Sequence, residues 1–142
     1  MTMAESTFNV TIVTPDGTIY DEPATLLVMK TSEGQMGLMK NHQPIIAALA
    51  IDELRLKHAG ETEDTVIAVN GGFIDFNAQV ATVVAGSAEL AETIDVARAQ
   101  SAKERAEKQI AHAKQVHNAD ELARAEVHLA RALNRLRVSG GN

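Results

Sequence analysis

A chain of 142 residues with a formal net charge of −6 and no cysteine can build one self-supporting core, or a small domain with an appendage. The missing cysteines remove disulfides, thiolate metal sites and cysteine nucleophiles together, and the acidity argues against a nucleic-acid binder that gains affinity by neutralising phosphates. No apolar run reaches the ~18 to 20 residues that cross a bilayer, since Asp52 closes the run from Ile45 to Ile51. Met1 to Ser6 lack the basic-then-apolar order of a signal peptide, and either Met1 or Met3 is the start.

Charge divides the chain. Residues 1–88 hold four Lys/Arg against eleven Asp/Glu, whereas residues 89–142 hold nine against eight. In the first part Phe8, Val10 and Ile12 alternate with Asn9, Thr11 and Val13, the period-two pattern of a strand. Thr14-Pro15-Asp16-Gly17 supplies the fixed φ of proline and the permissive backbone of glycine that a tight turn uses. Short β-type runs follow at Leu26 to Thr31, Ile45 to Leu49, Leu54 to His58, Thr65 to Val69, Phe73 to Phe76 and Gln79 to Ala85. Asn70-Gly71-Gly72 and Asn77-Ala78 read as hairpin turns, and many short strands with regular punctuation read as a sandwich or barrel.

After Ser87 the composition turns to Ala, Glu, Lys, Arg and Gln, strong helix formers. Thr93 is the expected N-cap of a first helix, with Asp95 in its first turn and an apolar stripe of Ala99, Ala102, Ala106, Ile110 and Ala113. Asn118-Ala119-Asp120-Glu121 resembles a variant capping box. It opens a second helix whose stripe is Leu122, Ala125, Leu129, Ala132/Leu133 and Leu136, closed by Gly140-Gly141. A short connection around His117 makes the pair antiparallel, each helix roughly 30 Å long. A stripe made mostly of alanine buries little area, so the hairpin has to lean on another surface.

No catalytic or phosphate-loop motif is present. The five histidines lack metal-ligand spacing, since His112 and His117 are five apart and His42, His58 and His128 stand alone. Ser32, Ser87 and Ser101 have no recognisable triad partners, and His42, in Asn41-His42-Gln43-Pro44, reads as a loop hydrogen-bonding residue. One cationic constellation stands out: Asp95, Arg98 and Arg105 on adjacent parts of one helix face, and Arg131 and Arg135 at i, i+4 on the next helix. Such arginines point to solvent or to carboxylates such as Glu121 and Glu126, or they grip an anion, or they dock an acidic protein. The wheel sets Arg131 and Arg135 nearly opposite the leucine stripe. If the leucines pack on the strands the arginines converge with Arg98 and Arg105, and if they pack on the first helix the arginines look outward to a partner.

Four motifs in order resemble the epsilon-subunit family of bacterial F-type ATP synthases over essentially the whole chain. They are Thr14-Pro15-Asp16-Gly17; Gly34-Gln35-Met36-Gly37-Leu38 with His42 and Pro44; Val69-Asn70-Gly71-Gly72-Phe73; and Ile94-Asp95-Val96-Ala97-Arg98-Ala99. The resemblance implies an α+β fold in two parts: an antiparallel β-sandwich of about ten strands over residues 1–88, and an antiparallel α-helical hairpin over residues 89–142. It implies a non-catalytic rotor subunit on the central stalk of a proton-translocating complex, peripheral to the cytoplasmic face of the cell membrane. Its partners would be the gamma subunit, the membrane c-ring and the alpha and beta subunits of the catalytic head. The hairpin would inhibit ATP hydrolysis, with Arg124, Arg131, Arg135, Arg137 and His42 as docking residues. No cofactor is required. The [I/L]DxxRA motif implies a regulatory ATP site formed by Glu89, Asp95, Arg98, Arg105, Arg131 and Arg135, while glycine at Gly86, where an aspartate is common, is a departure. A free-standing nucleotide-responsive module and a small β-sandwich enzyme are the alternatives from other functional classes.

Overall fold

The computed structural model describes residues 6–140, which divide at Leu90/Ala91 into two compact units. The first is built from eight strands: β1 (Phe8–Thr14), β2 (Gly17–Ala24), β3 (Leu26–Thr31), β4 (Gly34–Leu38), β5 (Ile45–Lys57), β6 (Thr65–Phe76), β7 (Val80–Ala85) and β8 (Ala88–Leu90). The hydrogen-bonded path runs β2-β1-β7-β6-β5-β3-β4, and β8 pairs β6 beside it. Eight described strands replace the expected ten or so, because four of the short runs fuse into two long strands. The sheet is mixed rather than wholly antiparallel, since β1 pairs β7 in parallel from Asn9↔Val80 to Val13↔Val84.

The fusion has a local cause. Asn70-Gly71-Gly72 does not turn the chain back; it bends β6, which pairs β8 over Ile67–Val69 and β7 over Gly72–Phe76. Gly71 and Gly72 adopt φ of 82° and 132°, and a Cβ on Gly72 would stand 2.1 Å from the Val84 carbonyl oxygen. At that crossing no side chain fits. Asn70 is buried there, its Nδ2 donating to Ser87 Oγ at 2.8 Å. The Asn77-Ala78 turn forms as expected, with Ala78 at φ 81° and Asn77 Oδ1 accepting from the backbone of Gln79 and Val80.

Alternate residues of the strands point inward to one core that includes Val10, Ile12, Leu27, Leu54, Leu56, Ile67, Ile74, Phe76 and Val83. One continuous sheet can share a single core only by folding over on itself, which makes the unit a sandwich. Contacts between distant parts of the path close it, from β2 to the residue that follows β5: Tyr20 Oη lies 3.2 Å from His58 Nε2, and His58 Nδ1–H donates to Pro23 O at 3.0 Å. Burial, then Glu22, pushes the Tyr20 phenol up to about 12.

The second unit opens with a 3-10 turn (Ala91–Thr93) and continues as α1 (Val96–Gln115) and α2 (Ala119–Val138). The N-cap of α1 is Asp95 rather than Thr93, which is taken up in the 3-10 turn; an Asp95 oxygen accepts from Arg98 N–H at 3.0 Å. Asn118 caps α2 as expected, accepting from Glu121 N–H. Between the helices His117 takes a left-handed φ of 55°, which lets three residues reverse the chain. Ala99, Ala106 and Ala113 on α1 and Ala125, Ala132 and Leu136 on α2 are buried. Alanine lines the seam, and Leu122, Leu129 and Leu133 sit half-buried beside it.

Candidate functional site

The register of the hairpin places its polar residues. Two pairs bridge the helices: His112 Nδ1 to Glu121 Oε1 at 3.2 Å, and His128 Nδ1 to Gln109 Oε1 at 3.4 Å. Residues seven apart return to nearly the same helix face. Arg98, Arg105 and His112 therefore share one border of α1, and Glu121, His128 and Arg135 share one border of α2. With residue 112 opposite residue 121, one heptad along each antiparallel helix sets Arg105 at the level of His128, and a second sets Arg98 at the level of Arg135. This border runs from the His112–Glu121 hydrogen bond near the turn to a series of arginines at the open end.

With alanine in the seam, Arg135 lies to one side of it, on the same border as Arg98 and Arg105, and Arg131 follows one turn away on the outer face. Arg98, Arg105, Arg124 and Arg131 are exposed, and none forms an ion pair among the described residues. Glu121, a candidate partner for the arginines, pairs with His112 instead. Asp95 is exposed and engaged as the cap of α1, Glu89 lies in β8 of the first unit, and Arg135 is half-buried. Arg137 donates from Nη2 to the fully buried Asn134 Oδ1 at 3.5 Å, a link the sequence did not announce.

His42 follows β4, its Nδ1–H donating to Gln43 O at 2.8 Å and its ring edge-on to Phe76 at 6.2 Å. No group of three His, Cys, Asp or Glu side chains among the described residues is placed to hold a metal. No described helix is long and apolar enough to cross a membrane.

Two features of the first unit were not read from the sequence. Where β3 and β5 slip out of register between Val28 and Thr31, a cleft of about 410 Å³ opens, lined by Met29, Lys30, Asp52, Glu53 and Arg55. Its charges answer one another, Lys30 to Asp52 at 3.7 Å and Arg55 to Glu53 at 2.5 Å. Lys57 and Arg55 also hold Asp64 below the usual carboxylate range. The second feature is an apolar row across the outer face of four strands, Val13, Val84, Phe73 and Ala48 at successive pairing positions. Ile46 stands two residues from Ala48 on the same face; it is 73% exposed and Phe73 is 46% exposed.

A strand-built body with an outward apolar row, followed by a helical hairpin with a cationic border, defines a binding and scaffolding protein. Family comparison makes this specific. Residues 7–91 match the family described as ATP synthase, Delta/Epsilon chain, beta-sandwich domain, and residues 92–140 match the ATP synthase, Delta/Epsilon chain, long alpha-helix domain. The ATP synthase epsilon chain of Pediococcus pentosaceus is 55% identical over 139 residues, covering 96% of this chain and 99% of that one. That of Levilactobacillus brevis is 54% identical, covering 95% and 96%. The fold also superposes, with a TM-score of 0.75 at 23% identity, on a chain of the Euglena gracilis mitochondrial ATP synthase, covering 94% of this chain and 81% of that one. The chain belongs to the delta/epsilon chain family of ATP synthases. Members are stalk and regulatory subunits, not catalysts in themselves.

Proposed function

We propose that the chain is the epsilon subunit of a proton-translocating F-type ATP synthase, turning with the central stalk and restraining ATP hydrolysis through its helices. The observation that carries the assignment is the match of both domains in order, over residues 7–140, together with 55% identity to an ATP synthase epsilon chain along nearly its full length. A stalk subunit transmits torque, and a folded-over sheet around one continuous core is stiff enough to do so. The apolar row of Val13, Val84, Phe73 and Ala48 supports a docking face for the gamma subunit, because a solvent-facing apolar stripe gains by being covered. His42 and its loop would meet the c-ring. This position makes the protein peripheral to the cytoplasmic face of the cell membrane.

The hairpin carries regulation. Arg124, Arg131, Arg135 and Arg137 would meet the alpha and beta subunits of the catalytic head when the helices engage it. With the helices at rest, the border of Arg98, Arg105 and Arg135, with Arg131 and Asp95 beside it, would hold a regulatory ATP. The support for this is cationic: guanidiniums converge without carboxylate partners among the described residues for Arg98, Arg105 and Arg131, and phosphate oxygens supply what is missing.

Truncation after Leu90 tests regulation, since it removes the second unit and leaves β8 paired to β6. The truncated chain is expected to assemble with gamma and the c-ring, followed by native mass spectrometry of the membrane complex, and to raise ATP hydrolysis by that complex. Unchanged hydrolysis in an assembled complex would refute a restraining role.

A further inference from the structure

Pairing and burial together define the outer face of the sheet formed by β2, β1, β7, the second half of β6 and the first half of β5. Val10, Ile12, Ala81, Val83, Ile74 and Phe76 are buried, so the residues that alternate with them point outward. Beside the apolar row of this face, two residues along each strand, runs a second row. Asp21 stands opposite Thr11, Thr11 opposite Thr82, Thr82 opposite Asp75, and Asp75 opposite Ile46. The two carboxylates are exposed and lie three strand spacings apart, roughly 14 Å. Asn9 Nδ2 donates to Asp21 Oδ1 at 2.7 Å, which orients that carboxylate without neutralising it. Neither aspartate forms an ion pair among the described residues, and no lysine or arginine occupies an outward position of this face.

Asp75 sits between the two most exposed large apolar side chains of the face: Ile46, its cross-strand neighbour at 73% exposure, and Phe73, two residues away on β6 at 46%. A partner that covers both must cover the carboxylate as well. A carboxylate taken out of water without a cation costs more than the apolar contact returns. We propose that Asp21 and Asp75 select the partner of this face, which takes an apolar stripe bordered by two basic side chains roughly 14 Å apart and refuses apolar surfaces that lack them. The inference rests on the docking-face reading given above and adds to it what the gamma subunit must present there. A lysine or arginine set over Asp75 is enclosed by Ile46 and Phe73, where excluded water strengthens a charge-assisted hydrogen bond. A cation over Asp21 lies at the rim, where it steers approach more than it adds affinity. A second copy of the same face brings only carboxylates, so the face does not pair with itself.

The test measures binding of the purified full-length chain to ATP synthase prepared without it, at low salt and at about 0.15 M. The set comprises wild type, Asp75→Asn, Asp75→Lys, Asp21→Asn, Phe73→Ala and Glu63→Gln. Glu63 is exposed in the connection between β5 and β6, so its variant removes the same charge away from the face. The substituted side chains are exposed, and thermal unfolding of each variant is expected to match wild type. At low salt Asp75→Asn is expected to weaken binding about tenfold, the share of one charge-assisted contact, and Asp75→Lys further. Asp21→Asn should weaken it about two- to fivefold, mainly through a slower association rate. Both asparagine variants should lose part of the wild-type salt dependence, Phe73→Ala should weaken binding at either salt, and Glu63→Gln should stay within about twofold of wild type. If either asparagine variant binds no more weakly than Glu63→Gln, the proposal is overturned, while a loss in Phe73→Ala keeps the docking face. If Phe73→Ala binds as wild type does, the docking-face reading falls and the proposal with it.

Discussion

Replacing Gly72 by alanine probes the crossing where β6 leaves β8 for β7. Two penalties add there. The residue sits at φ 132°, outside the regions open to L-amino acids, a strain of about 1–3 kcal/mol. Its new Cβ would also meet the Val84 carbonyl oxygen at 2.1 Å and the Ala85 Cα at 2.8 Å. Those are backbone atoms of a strand paired on both sides, by β1 and β6, so they cannot swing away as a side chain would. Overpacking of this kind costs about 1–3 kcal/mol more. The sum, about 2–6 kcal/mol, is a large share of the 5–15 kcal/mol that stabilises an ordinary domain. Gly71 is the internal control: its φ is 82°, but nothing lies within 4 Å of its Cβ position, so Gly71→Ala should cost only about 1 kcal/mol. Urea unfolding followed by circular dichroism suits a chain with no tryptophan and one tyrosine. Equal losses for the two variants would refute the steric argument, because only backbone angle would then matter.

Other expectations follow from named contacts. Asp95→Ala removes the α1 cap and should lower hairpin stability by about 1 kcal/mol, read as faster amide exchange in the first turn. Because the Tyr20 phenol is raised to about 12 in the folded chain, its contribution is complete below the unfolded value near 10 and is lost as pH climbs from there toward 12. Unfolding midpoints should therefore fall across that alkaline window by up to about 2 kcal/mol, and Tyr20→Phe should flatten that fall. Arg98→Ala and Arg131→Ala should each weaken ATP binding by the purified chain about tenfold, the share of one charge-assisted contact, without shifting its thermal unfolding. Wild-type affinity in both variants would count against the cationic border as the phosphate site.

The sequence disclosed the two-part plan because its cues were local. Period-two alternation at Phe8–Val13, the capping asparagine at Asn118 and the change to helix-forming residues after Ser87 each act over a few residues. β2 escaped notice because Pro23 and four exposed or polar positions dilute its alternation, which an edge strand tolerates. The bend at Asn70-Gly71-Gly72 carried hairpin chemistry, yet both flanks pair with the same partner, β5, and that pairing carries the strand through. The cationic border was hidden for a different reason. A wheel describes one helix, while the alignment of Arg98, Arg105, His128 and Arg135 depends on which rung of α1 meets which rung of α2. That register becomes visible only when the Glu121–His112 and His128–Gln109 bridges are seen.

The parallel pairing of β1 with β7 also sets an order of events at the ribosome. One edge of β1 finds its partner β2 within a few residues of synthesis, but the other edge must wait until Val80–Val84 has emerged. So long a wait places the sandwich among slow-forming, high-contact-order topologies. The pairing of α1 with α2 joins segments that follow one another across three residues, so its register can form before any surface that the hairpin leans on is complete. During biogenesis, the helical pair can therefore find its register while the sandwich is still closing.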